Sequence, residues 1–314
     1  MVGSEYFGYN EFMMEAKTQN SPTDDIPTLN AGASRTSTKS EKTGYRIASV
    51  FGRVNYNYQM KYLLSLVARY DGISRLKDNR WGFFPGVSVG WNVTEEDFWK
   101  ESKISEVISN IKPRLSYGVN GNVNGIGNFD IYGIYKQIGA GNYDGATAYY
   151  NSSLINTGLR WEQSRSFEAG LDLGFFNNRL SFIFDYYNRT TDDLLTDVNL
   201  PAYNWFFNVW KNPTWEKLRN SGFEMEVRAN ILSNAKGFNW EVSANLTSVS
   251  NKVLKLPTSD KPFNQIDGYE VAAGLYNPET GETPTKWIGG YREGGKLGDM
   301  VGYVQNHIFR DGMM

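Results

Sequence analysis

No cysteine occurs in the 314 residues, and histidine occurs once, at His307. Without thiols there is no disulfide framework, thiolate zinc site or cysteine nucleophile. With one imidazole, histidine-cluster metal sites are excluded, and a Ser–His–Asp centre would rest on that single residue. Charge of one sign is also missing. The 32 Lys+Arg stand against 34 Asp+Glu, a net charge of −2, which offers no basic field for nucleic acid and no polybasic membrane patch. No apolar run approaches the roughly 18 to 20 residues of a membrane helix, and mean hydropathy is −0.50. That value does not make the chain soluble, because a membrane β-barrel hides its apolar residues in alternation and scores as hydrophilic throughout. Helical periodicity is scarce as well. Only Thr94 to Asn110 has a threonine cap, early acidic positions and spaced apolar residues, enough for about two short turns.

What the chain does have is aromatic residues (47), glycine (32) and asparagine (31), arranged with a period of two. Such alternation marks a strand whose two faces meet different surroundings. Between Arg160 and Phe175, Trp161, Gln163, Arg165, Phe167, Ala169, Leu171, Leu173 and Phe175 fall on one face. Glu162, Ser164, Ser166, Glu168, Gly170, Asp172 and Gly174 fall on the other. Ser221 to Leu232 and Phe238 to Thr247 repeat the pattern. Further runs are Tyr45–Asn57, Tyr62–Asp71, Val87–Val93, Arg114–Asn120 and Leu180–Arg189, with Glu5–Ala16 and Met300–Phe309 as weaker candidates. About ten strands are expected.

Two architectures satisfy this alternation. A soluble carbohydrate-binding β-sandwich would cover the apolar face with a second sheet. An antiparallel transmembrane β-barrel would turn it toward lipid. Several runs reach 10 to 16 residues, beyond the usual five or six and suited to a tilted membrane strand. Connections alternate too. Gln59-Met60, Phe176–Asn178 and Ser233–Lys236 are short, whereas Thr18–Thr43, Gly121–Leu159 and Thr191–Leu218 are long and polar. Short turns at one end and long loops at the other are the outer-membrane barrel pattern. Tyr56, Tyr58, Tyr62, Trp91, Trp161, Tyr186 and Tyr187, near strand ends, would form the interfacial girdles.

An ordered series of short motifs sharpens this. Phe51-Gly-Arg-Val-Asn-Tyr56 precedes Lys61-Tyr-Leu-Leu64, Arg69-Tyr-Asp-Gly-Ile-Ser-Arg75, Asn79-Arg-Trp-Gly82 and Phe84-Pro-Gly-Val-Ser-Val-Gly-Trp91. Arg114-Leu-Ser-Tyr-Gly118, Leu159-Arg-Trp-Glu162, Gly170-Leu-Asp-Leu-Gly174, Asp185-Tyr-Tyr187, Asn220-Ser-Gly-Phe-Glu224 and Phe238-Asn-Trp240 follow. The series resembles the SusC/RagA-type TonB-linked outer-membrane transporters of Bacteroidetes, most strongly over residues 44–255, with 1–314 as a partial barrel domain. The resemblance implies a multi-pass barrel of 22 strands in the cell outer membrane, its lumen filled by a plug that this chain does not show. It also implies import of an oligosaccharide or peptide, a SusD-like surface lipoprotein as partner and energy from a TonB–ExbB–ExbD complex. On this reading the chain is a middle portion of a transporter, not an enzyme, and uses no cofactor.

Candidate ligand contacts are few. Tyr203, Trp205, Phe206, Trp210 and Trp215 cluster in an expected outer loop, where aromatic faces and neighbouring amides suit a glycan; packing against the loop itself or a lid protein is the alternative. The inward residues Glu162, Glu168, Asp172, Glu224, Glu226 and Arg228 either line a substrate path or simply wet the wall. The acidic groups Asp24-Asp25, Glu95-Glu96-Asp97 and Asp192-Asp193 read as solvated turns, because catalytic carboxylates must flank a bond across about 5 to 10 Å. Gly139 to Asp144, loosely like a phosphate loop, lacks the strand-then-helix setting and reads as turn.

Overall fold

The computed structural model describes residues 1–26, 28–133, 135–143, 146–151, 155–199, 208–211, 216–232, 237–259, 261–274, 278–281 and 283–300. Its strands are β1 (Val2–Gln19), β2 (Ser34–Tyr58), β3 (Tyr62–Ile73), β4 (Trp81–Trp91), β5 (Ile108–Asn122), β6 (Tyr135–Tyr143), β7 (Ala146–Asn151), β8 (Glu162–Phe175) and β9 (Leu180–Asp192). They continue with β10 (Thr196–Asn199), β11 (Asn208–Lys211), β12 (Lys217–Leu232), β13 (Trp240–Lys255), β14 (Tyr269–Ala272) and β15 (Thr285–Ile288). Nine form one antiparallel sheet in the order β1-β2-β3-β4-β5-β8-β9-β12-β13. The remaining six pair off as the hairpins β6–β7, β10–β11 and β14–β15. Among the described residues no second sheet covers the apolar face, so the sandwich expectation fails. The Met300–Phe309 run lies outside the described residues but for Met300, which is not in a strand.

Register fixes the two faces, because residues paired across a ladder point the same way. One row runs Asn57–Leu63–Gly90–Arg114–Gly170–Asp185–Glu224–Thr247. The row displaced by one residue runs Tyr56–Leu64–Val89–Leu115–Ala169–Tyr186–Phe223–Ser248. The first face carries most of the charge. The second is a belt of exposed apolar side chains that includes Val54, Leu66, Val87, Leu115, Val227 and Leu246. Water would not leave so continuous an apolar surface uncovered; lipid does so at no cost.

The belt also reports strand tilt. On β3 the outward apolar run is Tyr62–Tyr70, centred on Leu66; on β12 it is Phe223–Ile231, centred on Val227. Following the ladders from Leu66 through Val87, Tyr117, Phe167 and Asn188 leads to Ser221, six residues short of Val227 after five strand-to-strand steps. That drift is about 1.2 residues per strand, or roughly 4 Å of slide for each ~4.8 Å of lateral spacing, a tilt of about 40°. Membrane barrels tilt by about 35–45°. Aromatics close the belt at both edges: Tyr62 stacks on Trp91 (6.5 Å, 10°) and on Tyr58 (6.4 Å), and Tyr70 stacks on Trp81 (5.0 Å, 8°). Trp81 and Trp91 are ten residues apart on β4, about 33 Å along the strand and about 25 Å once tilted, the height of an outer-membrane apolar band.

Two members of the expected girdle belong elsewhere. Trp161 precedes β8, is buried and packs edge-on against Phe84 (5.3 Å). Tyr187 lies on the polar face opposite Glu168 and Gly222. The long loops are also shorter than expected. Ser34–Thr43 is strand, paired with Glu11–Gln19 beyond the belt, where both faces are polar and no alternation marks it. The other two long connections enclose β6–β7 and β10–β11. Residues 93–106 form the expected short turns, Val93–Glu95, helix α1 (Asp97–Lys100) and Lys103–Glu106, on the side of the short connections. Pro85 and Pro113 each sit one residue outside the β4–β5 ladder, which spans only Gly86–Gly90 and Arg114–Gly118. A residue with no N–H to donate ends the pairing at either side.

The buried apolar core lies at the long-loop end, made of Ile73, Leu76, Phe84, Val123, Ile126, Ile131, Leu159 and Trp161. It seals the loops over the polar face. Glycine is required beneath it: a Cβ on Gly121 or Gly82 would fall on the Phe84 ring.

Candidate functional site

The polar face is the candidate site, and the ladders bring its charged side chains together. Arg114 on β5 reaches over β8 to β9. Its Nε donates to Asp172 Oδ1 (3.0 Å) and its Nη2 to Asp185 Oδ2 (3.0 Å). The residue it crosses is Gly170, in register with both Arg114 and Asp185; a Cβ there would stand 2.8 Å from the guanidinium carbon. Ser116 donates to Glu168 (3.3 Å) beside this triad, and Arg189 donates through Nε to Ser166 Oγ (3.0 Å). Asn55, Ser65, Ser88, Arg114, Glu168 and Asp185 line a cavity of 580 Å³.

A second network belongs to the Arg69–Arg75 motif. Arg69 donates to Asp71 (2.7 Å), Glu5 (2.9 Å) and the buried Ser49 hydroxyl (2.9 Å), tying β1, β2 and β3 across the polar face. The rest of the motif builds the loop end. Tyr70 stacks on Trp81, Ile73 enters the core, and Ser74 Oγ accepts from the Arg46 N–H (3.0 Å). Arg75 lies over the Tyr45 ring (4.1 Å) and donates to Asn128 (2.7 Å). The Arg69–Arg75 motif therefore supports architecture.

The six inward residues expected from alternation do share this face. Glu162 accepts from Asn122 (3.3 Å) and the Leu195 N–H (3.3 Å), Asp172 pairs with Arg114, and Glu226 pairs with Arg228 (3.0 Å). Glu224 lines a neighbouring hollow with Arg189 and Asn220. Alternation did not single out Arg114, because its alignment with Gly170, two residues from Asp172, arises only from the pairing of β5 with β8. Of the aromatic cluster, Tyr203, Trp205, Phe206 and Trp215 lie outside the described residues. Trp210 is on β11, its backbone opposite Asp197.

Two acidic groups are not the solvated turns expected. Glu96, beside α1, holds the short-turn edge together: its carboxylate takes hydrogen bonds from Tyr62, the Trp91 indole (3.1 Å) and Lys61 (3.1 Å). Those bonds, Tyr62's first, hold the Glu96 carboxyl below its ordinary value and raise Lys61 above its own. Asp192 is buried between Arg165 (2.6 Å) and Lys217 (2.9 Å). Asp25 does sit in an exposed turn, its N–H bonded to Thr23.

Among the described residues no group of three or more potential ligands could hold a metal ion. The wall suits a hydrophilic solute held by hydrogen bonds and charge. It combines a lumen-type polar face, a tilted apolar belt and aromatic edges. The TonB-dependent receptor-like β-barrel family model matches residues 2–302. The chain belongs to that family. It is 36% identical over 229 residues to the TonB-dependent receptor SusC of Bacteroides thetaiotaomicron, covering 70% of this chain and 22% of the relative. It is 33% identical over 271 residues to TonB-dependent receptor P3 of Formosa agariphila, covering 85% and 25%. The solved RagAB peptide transporter is similar at a TM-score of 0.71 and 28% identity, over 81% of this chain and 28% of that one. These relatives are receptors and transporters, not enzymes. The chain spans about a quarter of the length of the curated relatives it matches.

Proposed function

We propose that this chain is part of the wall of an outer-membrane TonB-dependent transporter of SusC/RagA type. The observation that carries the reading is the sheet itself: one face is polar and cross-linked by Arg69 and Arg114, and the other is an apolar belt tilted by about 40°. The solute is an oligosaccharide or peptide. Polar, charged side chains on the lumen face suit either, the RagAB relative is a peptide transporter, and the aromatic cluster Tyr203, Trp205, Phe206, Trp210 and Trp215 offers stacking faces for sugars. A SusD-like surface lipoprotein would trap the solute against the long-loop end, and a TonB–ExbB–ExbD complex would supply the energy to open the path.

The hydrogen-bonding groups of the described lumen face suit a wall that binds a solute weakly and lets it pass. Flexible solutes slide best where hydrogen-bonding groups are many and no single one dominates; Asn55, Ser65, Ser88 and Ser116 form such a track beside Arg114. The test is uptake by cells that depend on the protein. Disruption of the gene should abolish growth on one class of oligosaccharide or peptide, and antibody to this chain should stain outer membranes. Staining confined to the soluble fraction would refute the reading.

A further inference from the structure

The lipid-facing surface above the belt carries a cluster of cations that no sequence run announces. Arg165, Thr190, Arg219 and Lys252 form one continuous row across β8, β9, β12 and β13. The next row outward is Gln163, Asp192, Lys217 and Lys255. Both rows share the face of Phe167, Tyr186 and Phe223, toward the long loops. On β12, Arg219 stands eight residues from the belt centre at Val227, about 20 Å above the midplane at the tilt found above. That is the depth of lipid headgroups.

Arg219 lies directly opposite Lys252, and Lys217 directly opposite Lys255. Like charges facing each other across a ladder repel. Asp192, buried between Arg165 and Lys217, fixes the position of both, and Lys255 interacts with the carboxylate of Glu293. Arg219 and Lys252 are exposed, and among the described residues no carboxylate bridges them. The geometry points to an anion from outside the chain. We propose that these cations bind the phosphate-bearing headgroup of an outer-leaflet lipid, its acyl chains lying on Phe167, Tyr186 and Phe223 below. One row below the cations stand Phe167, Asn188, Ser221 and Ser250, and the apolar belt begins beneath them with Ala169, Tyr186 and Phe223; a belt this close to the cations selects a lipid over free phosphate. This proposal rests on the outer-membrane reading.

The test uses the full-length protein purified from outer membranes in mild detergent, with bound lipid counted by native mass spectrometry. Wild type retains a phosphate-bearing lipid through detergent exchange. The triple variant R165Q/R219Q/K252Q retains at least tenfold less, and exposed Lys252→Gln alone loses about fivefold, the usual weight of one cation at a membrane surface. Arg228→Gln, on the opposite face, leaves retention unchanged. Resistance of each variant to trypsin and its gel mobility without heating report that the barrel is intact. Equal retention by wild type and Lys252→Gln in a membrane-resident protein would overturn the lipid site alone. Displacement by inorganic phosphate would overturn the choice of lipid. Recovery of the protein only from the soluble fraction would instead remove the outer-membrane reading beneath it.

Discussion

Arginine placed at four positions separates the two faces and measures the tilt. Leu66 is the outward centre of the belt on β3, and Val227 is its centre on β12. Arginine at a bilayer midplane on the lipid side of a barrel costs about 2–4 kcal/mol, falling to about 0–1 near the interface. Leu66→Arg and Val227→Arg should each lower the folded-to-unfolded ratio by roughly 30- to 1,000-fold. Ser65, one residue away, faces the lumen and bonds to Asn55 (2.8 Å); Ser65→Arg should cost under about 1 kcal/mol. Ser221 is the informative fourth. The ladders put it level with Leu66, but the tilt lifts it about 15 Å above the midplane, so Ser221→Arg should also cost under about 1 kcal/mol. Urea titration of the full-length protein in bilayers, scored by the mobility of the unheated folded form, gives the four values. A Ser221→Arg as damaging as Leu66→Arg would refute the tilt. A Ser65→Arg as damaging as Leu66→Arg would refute the assignment of faces.

Other perturbations follow from single contacts. Phe84→Ala should destabilise the loop core by about 3 kcal/mol, read as faster cleavage within residues 74–80. Gly121→Val, whose Cβ would meet the Phe84 ring, should do the same by overpacking at about 1–3 kcal/mol, and the two costs should not add because they act on one cavity. Glu96 has a lowered folded pKa, so its contribution is present above the ordinary carboxylate value of 4.5 and is lost as pH falls through the lower folded one. Hydrogen exchange over residues 93–107 should therefore accelerate below about pH 4.5 in wild type, while Glu96→Gln should show fast exchange at neutral pH and no such acid step.

Where a strand crosses lipid, the sequence announces it. β8, β9 and β12 alternate because one side of each residue pair meets hydrocarbon and the other meets water. Beyond the belt that contrast disappears, and Ser34–Thr43 passes for a loop although all of it but Thr36, at a bulge, is paired with β1. At β4, Pro85 and the glycines at 82, 86 and 90 blur the pattern, and the alternating run starts only at Val87, six residues late. Trp161 continues the outward phase of β8 in the sequence, yet the chain turns into the loop core one residue before the strand starts. The site was half visible for a related reason. Alternation gives the face of Asp172 and Glu168, but the Arg114–Asp172–Asp185 triad and the Arg165–Arg219–Lys252 row depend on register that brings Arg114 to acids 58 and 71 residues away, and Arg219 to Arg165 and Lys252, 54 and 33 residues away. Gln59-Met60 shows the opposite case: both residues adopt left-handed backbone in a turn too short to be anything else.

The measurement that tests the account most directly uses the absence of cysteine in this chain. Single cysteines placed from Phe223 to Arg228 in the full-length protein, labelled in intact outer membranes with a small, charged thiol reagent, report which side chains meet water. Glu224, Glu226 and Arg228 positions should label, and Phe223, Met225 and Val227 positions should not. Uniform labelling of all six, or labelling in the opposite phase, would contradict a membrane wall with its polar face on the lumen.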